Sequence, residues 1–220
     1  MCNNYRLRGA AIAIAEAMGV PFEADITLPP HDLFPKRPAL VVRQAAAGGQ
    51  AAGRESVLLQ WGFPPPPGVR GPVTNVRNLA SPFWRSALAT PARRCLIPAS
   101  EFCEWEGATG AKRQRWFRVP SQPVFAFAGI WQPQADDLFG TGGGGVFALL
   151  TCEPNALVAA VHPKAMPVIL HSYDHDAWLR ADWKEARQLV ASYPSQLMSM
   201  AEIPAAPPKA PAPPIDLFSR

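Results

Sequence analysis

Apolar residues in this chain fall into short runs separated by proline- and glycine-rich breaks, and these runs set the expected elements. Ala39-Leu40-Val41-Val42-Arg43 and Ser56 to Phe63 read as strands, joined through the Ala/Gly-rich stretch Gln44 to Gly53 into a loose hairpin. Pro64 to Pro67 has no N–H to offer a ladder and ends the second strand. Arg94-Cys95-Leu96-Ile97-Pro98 and Glu101-Phe102-Cys103-Glu104-Trp105 read as two strands around a Pro-Ala-Ser turn. Trp116 to Val119, Val124 to Trp131, Val146 to Cys152 and Met166 to Leu170 follow as further strands, and Val73 to Leu79 as a loop or strand end. Ala10 to Met18 reads as a helix stopped by Gly19, with no clear cap at Arg8-Gly9. Ser81 to Ala89, Asn155 to Ala160, Asp174 to Arg180 and Ala181 to Tyr193 also read as helical. Many short strands with few long helices predict a β-rich α+β domain. That domain is expected over residues 1–200, with an extended or disordered Ala/Pro-rich tail over 201–220.

Composition narrows the class. At 220 residues the chain fits one large domain or two small ones, and 48% hydrophobic with 17% charged residues is a globular balance. No apolar run approaches about 18 residues, so no membrane span is expected. The N-terminus lacks a basic region followed by an apolar stretch and a cleavage site, which predicts a cytoplasmic protein, nucleoid-associated if bacterial. The cysteines are Cys2, Cys95, Cys103 and Cys152, and no pair has the spacing of a zinc knuckle or redox motif. His171 to Asp176 reads as a polar loop opening a helix, and Asp136 to Gly145 lacks the lysine and serine or threonine of a phosphate loop. No metal and no organic cofactor are expected.

The net charge is +4, but its distribution says more. Arg85, Arg93, Arg94, Lys112, Arg113, Arg115 and Arg118 share one stretch with Trp84, Trp105 and Trp116. Arginines neutralise phosphates and aromatic rings stack on bases, so the mixture suits single-stranded nucleic acid. It equally suits a solvated basic surface over core tryptophans.

Candidate chemistry begins at Cys2. Removal of Met1 would leave a free α-amine beside a thiol, and this 1,2-aminothiol condenses with an aldehyde to an imine that the thiol closes into a thiazolidine. Three further polar residues stand at the edges of apolar runs. Asn75 can orient a group or cap a turn, Glu104 lies within an apolar strand where a pocket would raise its pKa, and His162 can serve as acid/base or as a core histidine.

The order of these segments resembles the SOS response-associated peptidase family, whose vertebrate members shield abasic sites in DNA. The resemblance runs from Met1 to about Trp183. It is carried by Met1-Cys2, Trp61-Gly62-Phe63-Pro64, Asn75-Val76-Arg77, Phe83 to Arg85, and Arg94-Cys95-Leu96-Ile97-Pro98-Ala99. Glu101-Phe102-Cys103-Glu104-Trp105, Thr151 to Asn155 and His162 to Leu170 complete it. It implies a curled, barrel-like antiparallel or mixed sheet core flanked by helices. It implies that Cys2 forms a thiazolidine with the ring-opened aldehyde of an abasic site, that Asn75 holds the cysteine and sugar oxygen, and that Glu104 relays protons. His162 would assist sugar ring opening. Arg77 and Arg85 would contact phosphates, Trp61 and Trp105 would support or line a DNA groove, and Lys164 would replace a family arginine. The implied partner is single-stranded DNA with abasic sites, bound by a monomer. Such a protein would protect the lesion during the DNA damage response.

Three departures stand out. Asn3-Asn4 follows Cys2 where family members carry Gly-Arg, so a basic residue is missing there. His162-Pro163-Lys164-Ala165-Met166-Pro167 is one residue longer than the family pattern, and Lys164 lacks the planar fork of arginine. Cys103 stands where an aromatic hydroxyl is common, and Glu101 is a second carboxylate three residues from Glu104. Two other activities remain open: a cysteine peptidase or amide hydrolase using Cys2, Glu104 and His162, and a single-strand binding module without catalysis.

Overall fold

A computed structural model describes residues 2–21, 32–45, 53–108, 111–134 and 144–201. The glycine-rich segment read over 136–145 falls almost wholly outside these residues, as do the Gln44–Gly53 loop for the most part and the Ala/Pro-rich tail beyond 201. The strands, in chain order, are β1 (Tyr5–Arg6), β2 (Asp32–Leu33), β3 (Pro38–Gln44), β4 (Arg54–Trp61), β5 (Asn75–Val76), β6 (Arg94–Ala99) and β7 (Glu101–Glu106). They continue with β8 (Arg113–Arg118), β9 (Phe125–Pro133), β10 (Gly145–Cys152), β11 (Met166–Pro167), β12 (Ile169–Leu170) and β13 (Ser199–Ala201). The helices are α1 (Ala11–Met18), α2 (Pro82–Ala89), α3 (Ala156–Ala159), α4 (His175–Arg180) and α5 (Trp183–Ala186).

Five of the strands close on themselves. β3 pairs with β4 and β6, β6 with β9, and β9 with β10, all antiparallel, while β10 returns to β4 in parallel register. Closure leaves these long apolar strands without a free edge between them. The second sheet has the order β13-β8-β7-β1-β2 and lies against the barrel. Aromatic rings fill the space between: Tyr5 of β1 meets Trp61 at 5.3 Å and Phe127 at 5.6 Å, and Phe102 stacks on Phe117 at 5.2 Å. The β3–β4 hairpin has the predicted partners, with Pro38 opposite Gln60 and Gln44 opposite Arg54.

The Pro-Ala-Ser segment behaves differently from a simple hairpin turn. β6 belongs to the barrel and β7 to the second sheet, so the chain changes sheets at Ser100. Ser100 is latched to the N-terminal segment, its N–H donating to Arg6 O at 2.7 Å and its hydroxyl donating to Arg8 O at 2.9 Å while accepting from Arg8 N at 2.8 Å. Met166 to Leu170 likewise splits: β11 pairs with β10, and after Val168 the chain moves over to β9 as β12. The helical reading over 181–193 reduces to α5, started by the Asp182 side chain accepting from Glu185 N, and a 3-10 turn over Arg187–Leu189. Beyond it, Ser192 is drawn out to donate to Glu153 O.

Gly129 of β9 sits close against its barrel neighbours. A Cβ there would lie 2.6 Å from Ile97 Cδ1 and 2.9 Å from Cys95 Sγ. Gly129→Ala is therefore expected to lower stability by about 1–3 kcal/mol, read as a lower denaturant midpoint, because a closed barrel has little freedom to relax around an added methyl. An unchanged midpoint would show that the wall yields.

Candidate active site

The site forms where the N-terminal segment enters between the barrel and the second sheet. Cys2 is fully buried. Its carbonyl accepts from Asn75 Nδ2 at 3.0 Å, and its thiol lies 3.5 Å from Asn4 O. The same Asn75 amide nitrogen also donates to Thr74 Oγ1 at 2.9 Å. Thr74 is fixed in turn by Trp61, whose indole N–H donates to Thr74 O at 2.9 Å. Asn75 begins β5, which runs parallel beside β10 with Asn75 opposite Leu149, and Thr151 Oγ1 donates to Val76 O at 3.2 Å to hold that edge.

Glu104 comes from β7, the neighbour of β1. It is 3% exposed, and its Oε1 has no hydrogen-bond partner among the described residues. Burial pushes its carboxyl up to about 7. Burial also holds the Cys2 thiol well above its usual range, and the Glu104 charge adds to that effect. At neutral pH the site therefore holds a thiol rather than a thiolate, beside a carboxyl poised between its two forms. His162 approaches from the other side, with Nδ1 3.9 Å from Glu104 Oε2, an electrostatic distance beyond hydrogen bonding. Its imidazole pKa is lowered by partial burial and by Lys164, so it is neutral at pH 7. Asn155 sets the position of this histidine. Its side chain caps α3 by accepting from Val158 N at 3.0 Å, and His162 N closes the following turn on Val158 O at 2.8 Å.

The structure thus brings Cys2, Asn75, Glu104 and His162 into one neighbourhood. Arg77 follows β5 and is paired with Glu153. Arg85 on α2 and Lys164 are exposed, and Trp105, 39% exposed, presents a ring at the end of β7. Trp61 is fully buried, so it offers no face to a nucleic acid; it acts from behind, through Thr74 and Asn75. Glu101 is tied into an ion pair with Arg6, 3.5 Å away, which separates its role from that of Glu104. Cys103 is buried with its thiol pushed up to about 12, mainly by desolvation. Asn4, standing where a basic residue was missing, is itself buried, with neither amide atom partnered among the described residues. Thr151 to Asn155 helps carry the family resemblance, but the sequence assigns no role to Thr151, Glu153 or Asn155. Asn155 carried a readable signal as a capping residue ahead of an apolar stretch, whereas Thr151 and Glu153 acquire meaning only from the β5–β10 register. Among the described residues there is no cluster of His, Cys, Asp or Glu able to hold a metal, and no helix long and apolar enough to cross a membrane.

A closed barrel, a second sheet and a buried N-terminal cysteine among an amide, a carboxyl and an imidazole define a recognisable class. The chain belongs to the SOS response associated peptidase (SRAP) family, whose model matches residues 1–206. It is similar to the abasic site processing protein YoqW of Bacillus subtilis strain 168, with 31% identity over 103 residues, and equally to YoqW of Bacillus phage SPbeta. These matches span 44% of this chain and 42% of the relatives' own length. The fold is shared with a protein of Bacteroides thetaiotaomicron (TM-score 0.72, 20% identity, 90% of each chain covered). It is also shared with a protein of Bordetella bronchiseptica (TM-score 0.73, 20% identity, 92% of this chain and 100% of that one).

Proposed function

We propose that this protein binds single-stranded DNA and captures abasic sites covalently through the amine and thiol of Cys2 once Met1 is removed. The observation that carries this reading is the Cys2 terminus held by Asn75 beside a carboxyl whose pKa is raised to about 7. The matched stretch of YoqW, an abasic site processing protein, supports the same substrate.

The chemistry suits these groups. An abasic deoxyribose is mostly a closed hemiacetal. Neutral His162 accepts the anomeric hydroxyl proton as the C1′–O4′ bond breaks and returns it to the departing ring oxygen, which leaves the aldehyde and a free 4′-hydroxyl. The Cys2 amine adds to the aldehyde carbon, and protonated Glu104 gives a proton to the hydroxyl that leaves as water. The protonated imine then takes the thiol sulfur at its carbon; the C=N electron pair moves to the nitrogen, which becomes the neutral amine of the thiazolidine, and the thiol proton returns to the Glu104 carboxylate. Aldehyde and aminothiol become thiazolidine and one water. A carboxyl near 7 populates both forms at neutral pH, as a group that first donates and then accepts a proton must. Arg77, Arg85 and Lys164 would meet the phosphates and Trp105 a flanking base.

Purified protein mixed with a single-stranded oligonucleotide carrying one abasic site is expected to give a denaturant-resistant adduct. Its intact mass should equal the two reactants less one water. Absence of that adduct, with Met1 shown to be removed, would overturn the reading. A cysteine amide hydrolase would use the same buried thiol and carboxyl. It predicts turnover of peptide or amide substrates with no adduct to the oligonucleotide.

A further inference from the structure

Arg77 is not waiting unpaired for a phosphate: its guanidinium is engaged by the Glu153 carboxylate. The register explains why. β5 and β10 run parallel with Leu149 opposite Asn75 and Leu150 opposite Val76, so Arg77 is the first residue past the end of β5. Glu153 is the first residue past the end of β10, so the two side chains leave neighbouring strand ends. The main chain at Glu153 is pinned, since its carbonyl accepts from Ser192 Oγ at 2.7 Å. Its carboxylate is nevertheless 77% exposed, against 36% for the arginine side chain. The acid is thus fixed at its base and free at its tip.

We infer that Glu153 is an internal competitor for the phosphate of the bound strand: it occupies Arg77 in the free protein and must yield it when DNA enters, which sets the affinity for the lesion-flanking phosphate. This rests on the reading of Arg77 as a phosphate contact. A carboxylate and a phosphodiester present similar paired oxygens to the guanidinium fork, so one displaces the other. An exposed pair of this kind is weak enough to exchange readily. Once released, the carboxylate remains beside the bound phosphate as a like charge. Both effects lower affinity, and both grow as salt is removed.

The test is a binding cycle with an oligonucleotide carrying a tetrahydrofuran abasic analogue, which has no aldehyde and reports binding without crosslinking. Kd is measured by anisotropy at two salt concentrations for the wild type, Glu153→Gln, Arg77→Ala and the double variant. Glu153→Gln should tighten binding about five-fold at low salt, and less at high salt. In the Arg77→Ala background the same change should have little effect. A gain that persists without Arg77 would show only a general loss of negative charge and would overturn the inference. An absent gain, checked with Glu153→Ala, would overturn it as well. Those outcomes leave the functional reading intact, provided the wild type binds and Arg77→Ala weakens it. A wild type that does not bind, or an Arg77→Ala variant that binds equally well, strikes the underlying reading instead.

Discussion

Cys2→Ala is expected to abolish the denaturant-resistant adduct, while affinity for the tetrahydrofuran analogue changes little. The alanine variant keeps an α-amine and so can still form an imine, but no sulfur is present to close it. Cys2→Ser divides the contribution further. Its hydroxyl is a far weaker nucleophile than a thiol, so the imine should persist, trappable by borohydride and lost on denaturation without it. The side chain is fully buried, so both variants also need a stability check; a small loss in midpoint is expected for alanine because the cavity left is that of a single sulfur. A denaturant-resistant adduct surviving in Cys2→Ala would move the nucleophile elsewhere.

Glu104→Gln should separate chemistry from stability, and pH is the variable that shows it. The Glu104 carboxyl has its pKa raised from an ordinary 4.5 to about 7 by burial. Below about pH 4.5 it is protonated in both folded and unfolded chains and costs nothing. As pH rises through 7 the folded protein must either hold a buried charge or keep a proton that the unfolded chain has released. Stability therefore falls across that window, by on the order of 3 kcal/mol once the pH is above it. The glutamine variant carries no such titration. It should match the wild type near pH 4.5 and exceed it increasingly from there to pH 8. Crosslinking should meanwhile slow by roughly a hundred-fold, because glutamine neither gives nor takes a proton. Parallel stability curves for the two proteins between pH 4.5 and 8 would contradict the assignment, as would an unchanged rate.

The legible parts of this fold share a physical signature. β3, β4, β6, β9 and β10 are apolar runs long enough to announce themselves, and they are the strands that close the barrel. β1, β2, β5 and β13 are two or three residues long, too short for any period to show, and they exist because a neighbour offers an edge. The change of sheet at Ser100 was invisible for a related reason: a short Pro-Ala-Ser segment looks the same whether the strands beside it pair or part. Asn75, Glu104 and His162 read as polar positions at the edges of apolar runs and Cys2 as a nucleophile near the chain's start, but nothing local says that positions 2, 75, 104 and 162 meet. The family resemblance has Trp61 support or line a DNA groove; its full burial, with Tyr5 arriving from a distant part of the chain to pack on it, leaves it no exposed face.

The latch at Ser100 has a consequence in time. Cys2 precedes in the chain every residue that encloses it: the amide comes from position 75, the carboxyl from 104 and the imidazole from 162, and its segment is latched in part through residue 100. At roughly 5–20 residues per second, synthesis from Cys2 to His162 takes on the order of ten to thirty seconds. Under the proposed chemistry, an aminothiol bared by loss of Met1 has no walls throughout that interval, and a small aldehyde that condensed with it would leave a molecule that folds but is spent. The fraction of chains capped in this way should rise as translation slows, so the active yield of this protein would depend on how quickly its ribosome moves.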